Sequence, residues 1–199
     1  MVDFNSSQTK INLARAFAGE CQDGARYQFL AKQALDEGYN YMQMIFKTHA
    51  KNEMAHAKRF FDLINEYSDE KPKNIDLSGG YPFSTGTLLE CIKDTMDTEK
   101  SQSDVIYTDF AEDAENEGYP EIAKAFLYVS SVENCHKLML EQLYKKLKND
   151  KLYSSKEAIK WKCSNCGFEH ASKKCWETCP SCLMEQGYAE IPIDMNSGD

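Results

Sequence analysis

The chain has 199 residues, enough for one well-cored domain plus a small module. Its 32 acidic and 23 basic side chains give a formal net charge of −9, which argues against broad binding to nucleic acid or to an anionic membrane surface. No apolar run is long enough to span a bilayer, and the polar segment Met1–Lys10 lacks the apolar core of a signal peptide, so a soluble, cytoplasmic protein is expected.

Residues 1–150 carry helical periodicity, which predicts four helices near 7–37, 40–67, 86–117 and 120–148. The first presents an inward seam of Leu13, Phe17, Glu20, Gly24, Tyr27, Ala31 and Leu35, and Gly38 follows it as a left-handed cap. The second presents Met42, Ile45, His49, Glu53, His56, Phe60 and Leu63. Ser68–Ser84, with Pro72, Gly79, Gly80 and Pro82, is too long for a tight turn and reads as a crossover. Thr87 and Glu90 fit a capping box for the third helix, whose seam is Leu88, Ile92, Thr95, Glu99, Gln102, Ile106 and Phe110. Gly118 and Pro120 mark the turn into the fourth, with Ile122, Phe126, Val129, Glu133, His136, Leu140 and Leu143 inward. Two short-turn hairpins joined by one long crossover describe an all-α four-helix bundle of the ferritin-like form.

The halves look duplicated. Glu37-Gly38-Tyr39 recurs as Glu117-Gly118-Tyr119, and a Glu-x-x-His begins 15 residues after each glycine, at Glu53 and at Glu133. Residues 151–160 read as a linker, and 161–199 form a cysteine-rich unit without helical periodicity.

Every helix thus places a glutamate on its apolar face near mid-length. Burying an uncompensated carboxylate costs several kcal/mol, and no matching set of inward Lys or Arg is present. Two metal ions would supply the missing positive charge, and iron accepts both carboxylate and imidazole. Glu and His at i, i+3 share one helix face, so Glu53/His56 and Glu133/His136 each present two donors to one point. With Glu20 and Glu99 they form the di-iron bundle pattern. His49 is expected as a hydrogen-bonded core or rim histidine, with an outer role at the site as the alternative. Tyr27 and Tyr107 are expected to bury their rings and donate to the acids.

Eight cysteines without an export signal do not read as disulfides. Cys163-x-x-Cys166 and Cys179-x-x-Cys182, twelve residues apart, form a four-sulfur site for iron or zinc. Cys175 falls off that spacing as a free thiol, and Cys21, Cys91 and Cys135 read as small buried apolar groups.

Through Ala14-Arg15-Ala16-Phe17-Ala18-Gly19-Glu20, Asn52-Glu53-Met54-Ala55-His56-Ala57, Glu133-Asn134-Cys135-His136 and the knuckles Cys163–Cys182 after Trp161, the chain resembles the rubrerythrin family over nearly its full length. The resemblance implies a ferritin-like di-iron domain over 1–150 and a rubredoxin-like domain over 161–199. It implies Glu20, Glu53, His56, Glu99, Glu133 and His136 as di-iron ligands, with Glu53 and Glu133 bridging, and Cys163, Cys166, Cys179 and Cys182 around a single iron, or zinc if mis-metallated; Tyr27, from its place on the first helix beyond Glu20, is expected in the catalytic site. The implied activity is a peroxide reductase of oxidative-stress protection: hydrogen peroxide goes to water, electrons come from an NAD(P)H-linked redox protein, and the protein is a homodimer. Two positions depart from the family pattern. Gln102 stands where the family has a second glutamate, and Leu183 follows the last cysteine where a glycine is usual. The competing expectations are ferritin-like oxidation or storage of ferrous iron, marked by a cage holding many irons, and a zinc-stabilised binding protein, marked by zinc without iron in native protein.

Overall fold

The computed structural model describes residues 2–195. It contains α1 (Gln8–Asp36), α2 (Asn40–Tyr67), α3 (Leu88–Ser101), a π-helical segment (Gln102–Ile106), α4 (Tyr107–Glu117), α5 (Pro120–Lys148), β1 (Ser154–Lys162) and β2 (Glu169–Lys174). None of its helices is long and apolar enough to cross a membrane.

Local chemistry sets the helix ends. Ser7 Oγ accepts the Lys10 amide at 3.0 Å, and the Thr87/Glu90 capping box closes with both of its bonds. Gly38 (φ 82°) and Gly118 (φ 92°) turn the chain at the two hairpins, and Pro120 opens α5. Residues 68–87 carry no regular structure and join the hairpins. The result is the mostly helical, ferritin-like bundle with a small two-stranded module after it.

The third helix differs from expectation. It is broken at mid-length by the π segment, which holds one extra residue in its turn. Downstream the buried face slips by one position: Tyr107, Ala111 and Ala114 are buried, while Ile106 and Phe110 are only half-buried. At the end of the first seam, Leu35 is 40% exposed.

Two apolar clusters fill the bundle. One gathers Phe4, Leu13, Phe60, Tyr107, Ile122 and Phe126; the other gathers Tyr27, Met42, Phe46, Leu88, Ile92, Leu140 and Leu143. Each such side chain contributes about 1.5–3 kcal/mol on burial. The inward acids lie between the two clusters, so that the apolar core stabilises the helix packing and leaves the centre free for polar groups.

In the C-terminal module β1 and β2 pair antiparallel, with Trp161 opposite His170. Trp161 is buried, and its indole N–H donates to the Ser172 carbonyl at 3.0 Å. Residues 154–160, expected in a linker, lie in β1; polar lysine-rich composition describes an exposed strand as well as it does a tether. The module docks on the α1–α2 turn. A Cβ on Gly187 would stand 1.8 Å from the Gly38 carbonyl oxygen, so only glycine permits that approach. Leu152 and Ile191 join the second apolar cluster from the module side.

Among the described residues all eight cysteines are free. Cys175 is buried beside Trp161. Cys135 is exposed and Cys21 and Cys91 only partly buried, contrary to expectation, because all three sit on the flanks of their helices rather than on the seams.

Candidate metal centres

Glu20, Glu53, Glu99 and Glu133 arrive from α1, α2, α3 and α5, and each is 1% exposed. His56 and His136 follow Glu53 and Glu133 by one helical turn and turn Nδ1 into the same space. His56 Nδ1 lies 3.4 Å from Glu20, 3.1 Å from Glu53 and 2.9 Å from Glu133. His136 Nδ1 lies 3.0 Å from Glu53, 2.9 Å from Glu133 and 3.8 Å from Glu99.

These six residues form two overlapping groups. Glu20, Glu53, His56 and Glu133 offer donor atoms within 4.8 Å of one another, and so do Glu53, Glu99, Glu133 and His136. Glu53 and Glu133 belong to both groups. One carboxylate oxygen of each glutamate (Glu20 Oε2, Glu53 Oε1, Glu99 Oε2, Glu133 Oε1) is buried without a well-directed hydrogen bond, because the two inward Nδ1 atoms, 2.9–3.4 Å from those of Glu20, Glu53 and Glu133, are each crowded by several carboxylates at once. Four such oxygens aimed at one space are expensive unless a cation fills it. Hard carboxylate and imidazole donors in this number fit iron.

The electrostatics report the same crowding. Burial pushes Glu20 and Glu99 well above the usual carboxylate range. Burial also opposes the charge on Glu53, but hydrogen bonds from His136 and His56 overcome it and hold Glu53 at about 2. Burial likewise opposes charge on the two imidazoles. Contact with Glu133, Glu20 and Glu53 nevertheless lifts His56 to about 12, and contact with Glu133 and Glu53 lifts His136 to about 9.

Two tyrosines support the acids crosswise. The Tyr27 hydroxyl on α1 donates to Glu99 on α3, and the Tyr107 hydroxyl on α4 donates to Glu20 on α1. Both are fully enclosed, and burial raises both phenols well above their ordinary range, so they stay donors. The side-chain amide of Asn52 lies 3.3 Å from His136 Nε2, on the ring edge facing away from the acids. His49 stacks on His136 with ring centroids 4.2 Å apart. Its Nδ1 has no hydrogen-bond partner, so the expected bond at that atom is missing, and burial holds the ring at about 3.

Beside the cluster, Gln102 occupies the first π position. Its amide donates to Asp23 Oδ2 at 2.7 Å, and Arg26 pairs with the other oxygen. The Asp104 carboxylate faces outward to Lys100 and Lys137, on a different side from the acids. A cavity of about 290 Å³ runs from the crossover at Gly79–Pro82 to Asp23, Gln102 and Tyr107. Sequence reasoning missed Asp23, Arg26 and Asn52. The one available signal was spacing, since Asp23 follows Glu20 by the same three residues that separate Gln102 from Glu99.

In the module the four predicted cysteines converge. Cys163 and Cys182 sulfurs are 3.7 Å apart, and Cys166 and Cys179 sulfurs 3.8 Å. With metal–sulfur bonds of about 2.3 Å a tetrahedron has edges of about 3.8 Å, so the cage has the size a single tetrahedral ion requires. The two knuckles share one backbone shape: the Gly167 amide donates to the Cys163 carbonyl at 2.8 Å, and the Leu183 amide to the Cys179 carbonyl at 2.9 Å. Burial raises the Cys163 thiol to about 12, whereas the Met184 amide beside Cys182 brings that half-buried thiol down to about 6.

The rubrerythrin family model matches residues 12–84 and 90–165. This chain belongs to the rubrerythrin family. It is 33% identical to rubrerythrin of Clostridium perfringens, over 96% of this chain and 97% of that protein. It is 35% identical to rubrerythrin-1 of Clostridium acetobutylicum over the same shares, 96% and 97%. Among solved structures it is similar to partially reduced nigerythrin (22% identical, TM-score 0.61), over 96% of this chain and 94% of that one. It is also similar to a bacterioferritin of Desulfovibrio desulfuricans (21% identical, TM-score 0.65), over 72% and 82%. At those identities the two structures speak for the fold alone. Rubrerythrin-family membership, the Glu/His cluster and the four-cysteine cage together fit iron binding.

Proposed function

We propose that this protein reduces hydrogen peroxide to water at a di-iron site, with electrons passed in through a single iron held by four cysteines. Glu20, Glu53, His56 and Glu133 hold one iron of the pair, and Glu53, Glu99, Glu133 and His136 the other. Cys163, Cys166, Cys179 and Cys182 hold the third. When bound, the iron pair supplies two electrons together to the peroxide O–O bond, and the four-cysteine iron refills it one electron at a time.

The chain's own residues have four tasks. Glu53 and Glu133 keep the two cations side by side. Tyr27 and Tyr107 fix the rotamers of Glu99 and Glu20 by hydrogen bonds across the bundle. His56 and His136 present Nδ1 inward, and the Asn52 amide stands at the outer edge of the His136 ring. The apolar clusters above and below keep bulk water from the reacting centre.

Convergence of the four orphaned glutamate oxygens with two imidazoles carries this reading. The cysteine cage favours peroxide reduction over iron storage, since storage has no use for a relay. A redox protein fed by NAD(P)H is the expected electron source, and a second copy of the chain the expected partner.

The test mixes anaerobically reduced protein with peroxide. Each peroxide should consume two electrons, and the visible absorption of the oxidised four-cysteine iron should appear. If both centres stay reduced, the peroxide reading fails.

A further inference from the structure

One buried histidine belongs to neither metal-binding group. His49 lies on α2 one turn before Glu53 and is 3% exposed. Its Nδ1 has no hydrogen-bond partner, so flat contacts place the ring. It stacks on His136, with ring centroids 4.2 Å apart and planes at 23°. It also meets Tyr27 edge to face, at 5.1 Å and 86°.

Both of these neighbours serve the same side of the site. His136 and Glu99 share a metal-binding group, and the Tyr27 hydroxyl donates to Glu99. His49 therefore touches one donor residue of that group and the support of another. Three residues further along α2, the Asn52 amide stands 3.3 Å from His136 Nε2. One imidazole is thus met from α2 on its face and on its edge.

The duplicated half carries neither side chain. Counted back from the two Glu-x-x-His motifs, His49 and Asn52 match Val129 and Val132 on α5. Among the described residues no ring stacks on His56, whose ring is tilted to that of His136 at 6.3 Å. The His56 side chain is 13% exposed, against 4% for His136.

We propose that His49 and Asn52 clamp His136, with His49 as a positioning residue across the ring face and Asn52 at the ring edge, and that the clamp strengthens iron binding at the Glu99/His136 position. This rests on the di-iron reading of the cluster. The torsion that turns a histidine ring is broad, so an unsupported imidazole swings its Nδ1 off target at little cost. A flat ring pressed against its face blocks that rotation, whereas a branched aliphatic side chain of similar size fills the space without blocking it. Once Nδ1 binds a metal, the proton of the neutral ring sits on Nε2. The Asn52 amide has an acceptor as well as a donor and can take that proton in a hydrogen bond. A ring already held in its binding orientation loses less freedom when iron arrives, so affinity rises.

Three variants of the full-length protein test the clamp. His49→Leu fills the space without a flat face, His49→Phe restores the flat face without the nitrogens, and Asn52→Val installs the residue found at the matching place on α5. With ferrous iron set against a competing chelator, His49→Leu and Asn52→Val should each bind one iron of the bundle pair about tenfold more weakly, the lower end of the losses for outer partners of metal ligands. His49→Phe should bind as the parent does, and the four-cysteine iron serves as the internal standard. In the metal-free protein, the ring current of a stacked neighbour shields the His136 ring protons. Their nuclear magnetic resonances should therefore shift downfield in His49→Leu and stay shielded in His49→Phe. Parental affinity in His49→Leu, an equal loss in His49→Leu and His49→Phe, or unshifted His136 resonances in His49→Leu overturns the role of His49. Parental affinity in Asn52→Val overturns that of Asn52. If the parent bundle itself takes up no iron, the di-iron reading falls instead, and the resonances of the metal-free protein still judge the stack.

Discussion

Leu183 is a small backbone anomaly with a measurable consequence. It sits at φ 62°, where Gly167 holds φ 78° in the matching knuckle. A side chain in that region costs about 1–2 kcal/mol, and Leu183 is 76% exposed, so burial does not offset it. Leu183→Gly should therefore raise the stability of the loaded module by up to about 1 kcal/mol, part of the gain being returned as unfolded-chain entropy. Gly167→Leu should lower it by a similar amount. The temperature at which sulfur-to-metal absorption disappears measures both, and a lower value for Leu183→Gly would contradict the account. This position was legible in sequence because a knuckle needs a turned residue at a fixed offset. Asp23 was not. It lies off the inward seam of α1, and the crossover residues that line the cavity with it come from more than 50 positions away, a long-range packing event that helical periodicity does not encode.

At the scale of elements, the long regular helices were readable to the residue: α2 and α5 run over 40–67 and 120–148, as their apolar spacing and turn residues predict. The π segment was not readable: regular spacing puts Ile106 on the seam, and the expectation that Tyr107 reaches the acids does not by itself say that the helix must widen to bring it there. The structure chooses Tyr107, and the choice matters because its hydroxyl supports Glu20. Two variants test this. Deletion of Ser103 removes the extra residue, so a regular α-helix then carries Tyr107 at the seam spacing that Ile106 has now, and iron affinity should be largely kept. Tyr107→Phe leaves the helix alone and removes the hydroxyl from Glu20, and iron affinity should fall by about 10–100-fold, the usual loss for an outer hydrogen-bonding partner. Circular dichroism should report intact helix in both, and iron content after dialysis against a chelator gives the affinity. Full iron retention in Tyr107→Phe would mean that its hydroxyl has no part in holding the site.

For the whole molecule, the position of the module constrains how electrons would travel in the proposed reaction. It is seated on the α1–α2 turn through Gly187, next to Asn40, whereas Glu53 lies 13 residues further along α2. At 1.5 Å per residue that is about 20 Å along the bundle, and electron tunnelling weakens exponentially with distance. A second copy lying head to tail would bring its module against the middle of this bundle instead. Two damaged chains can decide between the routes. One carries Cys166→Ser and Cys182→Ser, which remove the relay. The other carries Glu53→Ala, which removes a bridging acid of the iron pair. Neither alone should reduce peroxide when electrons are supplied through the four-cysteine centre. In a mixed dimer the intact relay of the second chain faces the intact iron pair of the first, one working combination out of two. Purified mixed dimers should then regain about half the parental turnover, since each dimer has two relay-and-pair combinations related by its symmetry. Electrons running within a single chain would leave every mixed dimer inactive, because neither chain keeps both centres, so a complete absence of recovery assigns the route to the long axis of one bundle.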